Sequence, residues 1–83
     1  MYLSKIVYLE ERVSMHQIKL RDDYIKLGQA LKAAGLAHTG VDAKIAILDG
    51  KVKVNGEVAF QRGKKLYDGD VVEYNSVIIK IVK

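Results

Sequence analysis

At Gly50 the spacing of apolar positions along this chain changes from helical to alternating. Upstream, Leu27, Leu31 and Ala34 fall at i, i+4 and i+7, the stripe of a helix buried on one side. Gly35 stands where a left-handed C-terminal cap belongs. Gly28 in the first turn opposes this helix by about 1 kcal/mol relative to alanine. A second helix opens at Thr39, which with Asp42 resembles a capping box with Asp in place of Glu. It runs through Ala43, Ala46 and Ile47 to Gly50. Helices joined by so short a link pack as a pair.

Downstream of Gly50, residues 51–55 read as a strand with Val52 and Val54 on one face and Lys51, Lys53 and Asn55 on the other. Asn55-Gly56 is a two-residue hairpin turn, because both central positions need φ > 0. Residues 57–60 return, residues 61–65 form a basic loop, and Asp68-Gly69-Asp70 turns into a strand over 71–74. Asn75-Ser76 turns again into a final strand over 77–82. Ahead of the helices, residues 17–21 alternate as a short strand that Asp22-Asp23 ends. Residues 1–15 admit two readings: Tyr2, Ile6, Leu9 and Val13 recur at helical spacing, while the β-branched and aromatic content suits a strand. Strand, helix, helix and then several strands describe an α+β domain, two short packed helices against a small, mostly antiparallel sheet.

Eighty-three residues make a single domain with a modest core. The absence of cysteine excludes a disulfide framework, a thiolate nucleophile and a Cys-based zinc site. No apolar run approaches the roughly 18 residues of a membrane span. The opening MYLSKIVYLEERV is interrupted by Lys5 and lacks a basic leader and a small-residue cleavage site, so a cytoplasmic address is expected. Charge adds more. The net is +4, and residues 44–65 alone carry +4, against +1 for 1–43 and −1 for 66–83. An excess confined to 22 residues is the footprint expected of a polyanion partner.

Catalysis has little support. His16 and His38 have no cysteine or Ser–His–Asp spacing to organise them. Glu10-Glu11 and Asp22-Asp23 are adjacent in sequence and cannot face each other as general acid and base. Gly28, Gly35 and Gly40 match no phosphate-loop spacing. We therefore expect no enzyme activity, no metal and no cofactor. Binding has more support. Lys51 and Lys53 point the same way about 7 Å apart, near the spacing of successive phosphates. Asn55 can donate to a phosphate or a base edge. Lys44 sits in the first turn of the second helix, whose N-terminus over Thr39 to Asp42 favours anions. Arg62, Lys64 and Lys65 return on the loop. With Lys32, His38 and Gly40 on the two-helix side, these residues are expected to converge on one basic surface. The five tyrosines show no platform spacing, which favours a folded RNA held by shape and phosphates over a splayed single strand.

Ala43-Lys44, Gly50-Lys51-Val52-Lys53-Val54-Asn55-Gly56, Arg62 and Gly69-Asp70-Val71-Val72 together resemble the S4 RNA-binding domain, or αL motif. The preceding DYIKLGQALKAAG is similar to small stand-alone bacterial members, and the likeness spans roughly residues 17–74. It implies a non-catalytic RNA-binding core there, preceded by an extension over 1–16 and followed by a C-terminal strand over 77–82. It also implies a structured RNA partner, ribosomal or transfer RNA, reached through the two-helix face and the first strand, with possible ribosome association. Many members carry an arginine just before the second helix; this chain has Thr39-Gly40-Val41, so backbone amides would have to replace it. The competing reading is a β-grasp sulfur carrier or protein-interaction module. A carrier needs a terminal Gly-Gly, and this chain ends Ile81-Val82-Lys83.

Overall fold

The computed structural model describes residues 14–83, so the two readings for the segment before Ser14 lie outside the described residues. The elements are β1 (Ser14–Lys19), β2 (Ile25–Lys26), α1 (Leu27–Ala33), α2 (Gly40–Leu48), β3 (Lys53–Val54), β4 (Glu57–Val58), β5 (Lys65–Leu66), β6 (Val71–Tyr74) and β7 (Val77–Val82). Five strands form one sheet in the order β1-β7-β6-β3-β4, and β2 pairs with β5 in a separate antiparallel ribbon. Every pairing in the larger sheet is antiparallel except β1 on β7. The α+β class is therefore as expected from the order of periodicities.

Both helices end as their glycines dictate. The Leu36 N–H donates to the Leu31 carbonyl and the Gly35 N–H to that of Lys32, with Gly35 at φ 75°. The α2 end repeats the pattern, Lys51 N–H to Ala46 and Gly50 N–H to Ile47, with Gly50 at φ 73°. These paired bonds satisfy carbonyls that a helix end otherwise leaves open. At the start of α2, the Thr39 hydroxyl accepts from the Asp42 N–H at 3.1 Å, the forward half of the expected box.

The core lies between the helical pair and the sheet. Leu27, Leu31, Ile47, Leu66, Ile79, Ile81, Val52 and Val72 are its largest fully buried side chains. On α2, Ala43, Ala46 and Ile47 face it, while small residues let α1 approach. Val54 pairs with Val72 on the inward side of the sheet. Lys53 and Glu73 form the next pair, on the outward side.

Four expectations are corrected. The first strand runs over Ser14–Lys19 rather than 17–21, because its partner is β7, in register from Ser14–Val77 to Lys19–Val82. Residues 14–16, expected within an extension of uncertain structure, begin this strand. The strand expected over 51–55 narrows to Lys53–Val54, and its return to Glu57–Val58. The basic loop expected over 61–65 ends early, since Lys65 enters β5 and pairs with Lys26. That pairing is long-range and carries no local periodicity.

Candidate functional site

Two backbone bonds fix the position of the 61–64 loop. The Leu27 N–H donates to the Lys64 carbonyl at 2.8 Å and the Gly28 N–H to that of Arg62 at 2.9 Å. They satisfy donors that the first turn of α1 would leave open. A Cβ at Gly28 would stand 3.4 Å from the Arg62 Cβ, an ordinary van der Waals contact, so the approach does not itself require glycine. Anchored in this way, the loop meets α1 and the start of α2 around a cleft of about 240 Å³. Lys26, Lys32 and Arg62 supply its cations, Gly28, Gly40 and Gly63 its open floor, and no carboxylate lines it. Lys44 is four residues after Gly40, hence on the same helical face one turn on. The N–H groups at the start of α2 add partial positive charge beside Gly40.

The candidate cations stand outside ion pairs among the described residues. Among the described residues the one ion pair joins Lys83 to Asp23 at 3.1 Å, and none of the candidate lysines or Arg62 takes part. All their side chains are exposed.

Not every candidate lines this cleft. Lys32, Gly40 and Arg62 line it, with Lys44 beside it and Thr39 capping the helix that borders it. Lys51 and Lys53 line a separate groove with Glu73 and Tyr74. Alternation is the cause: Val52 and Val54 turn inward, so their neighbours turn to the side away from the core. His38 lines a third depression, with Asp42, Asp49 and Lys51. Lys64 lines a fourth depression, with Asn55, Glu57 and Phe60.

Asn55 has a different occupation from the one expected. Its amide oxygen accepts from the Val71 N–H at 2.9 Å, and its Nδ2 donates to the Asp70 carboxylate at 3.0 Å. Asp70 also accepts from the Tyr67 N–H at 2.8 Å. The Val-Asn-Gly and Gly-Asp segments are thus two halves of one clasp that holds the β3–β4 turn to the start of β6. Its side chain serves the fold rather than an open face.

Two groups were missed in sequence. Lys26 sits in a stretch of nearly balanced charge, and only the β2–β5 pairing brings it to the cleft. Tyr24 and Tyr67 are far apart in the chain, yet their rings approach to 6.1 Å, with Lys65 Nζ 4.7 Å from the Tyr24 centroid. Among the described residues no cluster of His, Asp or Glu could hold a metal ion, and no helix is long and apolar enough to cross a membrane.

A family model described as an S4 domain matches residues 18–82. A Bacillus subtilis protein named "Probable ribosome maturation protein RlbA" is 45% identical over 56 residues, 68% of this chain and 79% of its own length. An Escherichia coli protein named "Putative RNA-binding protein YbcJ" is 34% identical over 59 residues, 71% of this chain and 84% of its own. An uncharacterised Shigella flexneri protein matches to the same extent.

Proposed function

This chain belongs to the S4-domain family, and from that premise we propose that it binds structured RNA without catalysing a reaction, its target being ribosomal or transfer RNA. One observation carries the reading: Lys26, Lys32 and Arg62 converge, with no carboxylate among them, on a cleft bordered by the start of α2. Such a cleft suits a phosphate backbone, which offers closely spaced negative charge and accepts hydrogen bonds from helix N–H groups. The cleft is shallow and carries no metal-ligand cluster among the described residues, so recognition of a surface suits it better than turnover of a small substrate. The names of two relatives, one for ribosome maturation and one for RNA binding, point the same way, and the first favours ribosomal RNA in a maturing particle. The address implied is the cytoplasm.

The test is binding of a labelled ribosomal RNA hairpin. If four to six cations meet phosphates, log affinity falls against log salt with a slope of about −3 to −5. Lys32→Glu, Lys44→Glu and Arg62→Glu together should abolish binding, with the circular dichroism spectrum unchanged. Undiminished affinity in that folded triple variant would refute the assigned cleft.

A further inference from the structure

The outer face of the β2–β5 ribbon has a composition that the cleft does not account for. In its register Ile25 pairs with Leu66 and Lys26 with Lys65. Leu66 is fully buried, and Ile25 packs against the same core. Alternation therefore turns Lys26 and Lys65 outward and puts Tyr24 and Tyr67 on their side. The rings meet as a pair 6.1 Å apart and tilted by 54°, with the Lys65 ammonium 4.7 Å over Tyr24. Tyr24 remains 37% exposed and Tyr67 50%.

This square of two tyrosines and two lysines is poorly explained by folding alone. Like charges opposite each other on a ladder are destabilising, and no carboxylate is paired with either lysine among the described residues. Three carboxylates of the adjoining turns have other partners. Asp23 holds the Lys83 ammonium, Asp68 accepts the Lys83 N–H, and Asp70 serves Asn55 and Tyr67. The Asp70 bond also fixes the Tyr67 backbone from which the ring projects. A ligand that matches the face needs a flat π surface for the rings and negative charge for the ammonium groups. A nucleotide has both.

We propose that the outer face of the β2–β5 ribbon binds an unpaired nucleotide of the bound RNA, its base stacked on one of the two tilted rings, Tyr24 or Tyr67, with the other ring at its edge, and its phosphate on Lys26 and Lys65. The inference rests on the RNA reading of the cleft. Lys26 connects the two, since it lines the cleft and belongs to the square. A strand leaving the helical region held in the cleft meets the rings next. The preferred ligand is therefore a helix with a single-stranded flank.

The experiment compares a blunt RNA hairpin with the same hairpin bearing a three-nucleotide single-stranded tail, for the native chain and a Tyr24→Ala, Tyr67→Ala double variant. The tail should tighten binding to the native chain about tenfold, within the range that stacking of one base provides. The double variant should lose that gain and bind the blunt hairpin as the native chain does. A Tyr24→Phe, Tyr67→Phe variant should keep it, because the ring does the stacking. A tail that adds nothing to the native chain, or a gain that survives in the alanine variant, overturns the inference. Failure of the blunt hairpin to bind at all would instead refute the cleft, and a short single-stranded oligonucleotide then decides. Upfield shifts of the ring protons of Tyr24 and Tyr67 support the platform, and unshifted rings overturn it.

Discussion

Asn55 combines two demands that no other side chain meets at this position. Its φ of 52° lies in the left-handed region, where asparagine is among the few tolerated residues besides glycine. Its amide both accepts from Val71 and donates to Asp70. Alanine would fail on both counts, so Asn55→Ala should lower unfolding free energy by about 2 kcal/mol. Urea titration measures this; RNA affinity of the folded protein should change little, because the amide is turned to Asp70 rather than outward. Gly40 poses the opposite case. An added Cβ there meets nothing within 4 Å, and the backbone is not in the left-handed region. Gly40→Arg therefore puts a guanidinium at the mouth of the cleft without strain. Hairpin affinity should rise, and the salt slope should steepen by about 1, as checked by titration at several salt concentrations.

At the level of elements, local chemistry set the ends of the helices and hairpins, and pairing set the lengths of the strands. Gly35 and Gly50 stop α1 and α2 where the sequence places them, because the left-handed cap is a property of single residues. Asn55-Gly56 turns as expected, both residues having positive φ. The β6–β7 turn uses Asn75 at φ 53° and Ser76 at φ 64°, and serine bears a cost there that glycine would not. Ser76→Gly should stabilise the protein by about 1 kcal/mol, raising Tm by about 4–8 °C in a scan. The first strand was misplaced by three residues because β1 takes its register from β7, at the far end of the chain. Gly28 is the weak point in α1 that its propensity indicates, since the Arg62 backbone leaves room for a Cβ there.

For the molecule as a whole, the question is which cations share a field. Residues 44–65 hold the charge excess, yet folding sends its lysines to different sides. Lys53 stands opposite Glu73 on the outward face of the sheet, whereas Arg62 joins Lys26 and Lys32 in the cleft. Lys53→Glu should accordingly leave hairpin affinity within about twofold, and Arg62→Glu should weaken it at least tenfold; parallel titrations at one salt concentration distinguish them. The sequence by itself determined the class of the fold, the two helices with their stops, the tight turns and the presence of a local cationic excess. These follow from periodicity, from φ preferences and from counting, all of which act over a few residues. Tertiary structure alone decided that Lys26 enters the cleft, that Asn55 and Asp70 clasp each other, and that Tyr24 meets Tyr67. Each of those pairings closes a loop of fifteen residues or more. Such closures depend on which strand finds which partner around a shared core, and no short-range pattern encodes that choice.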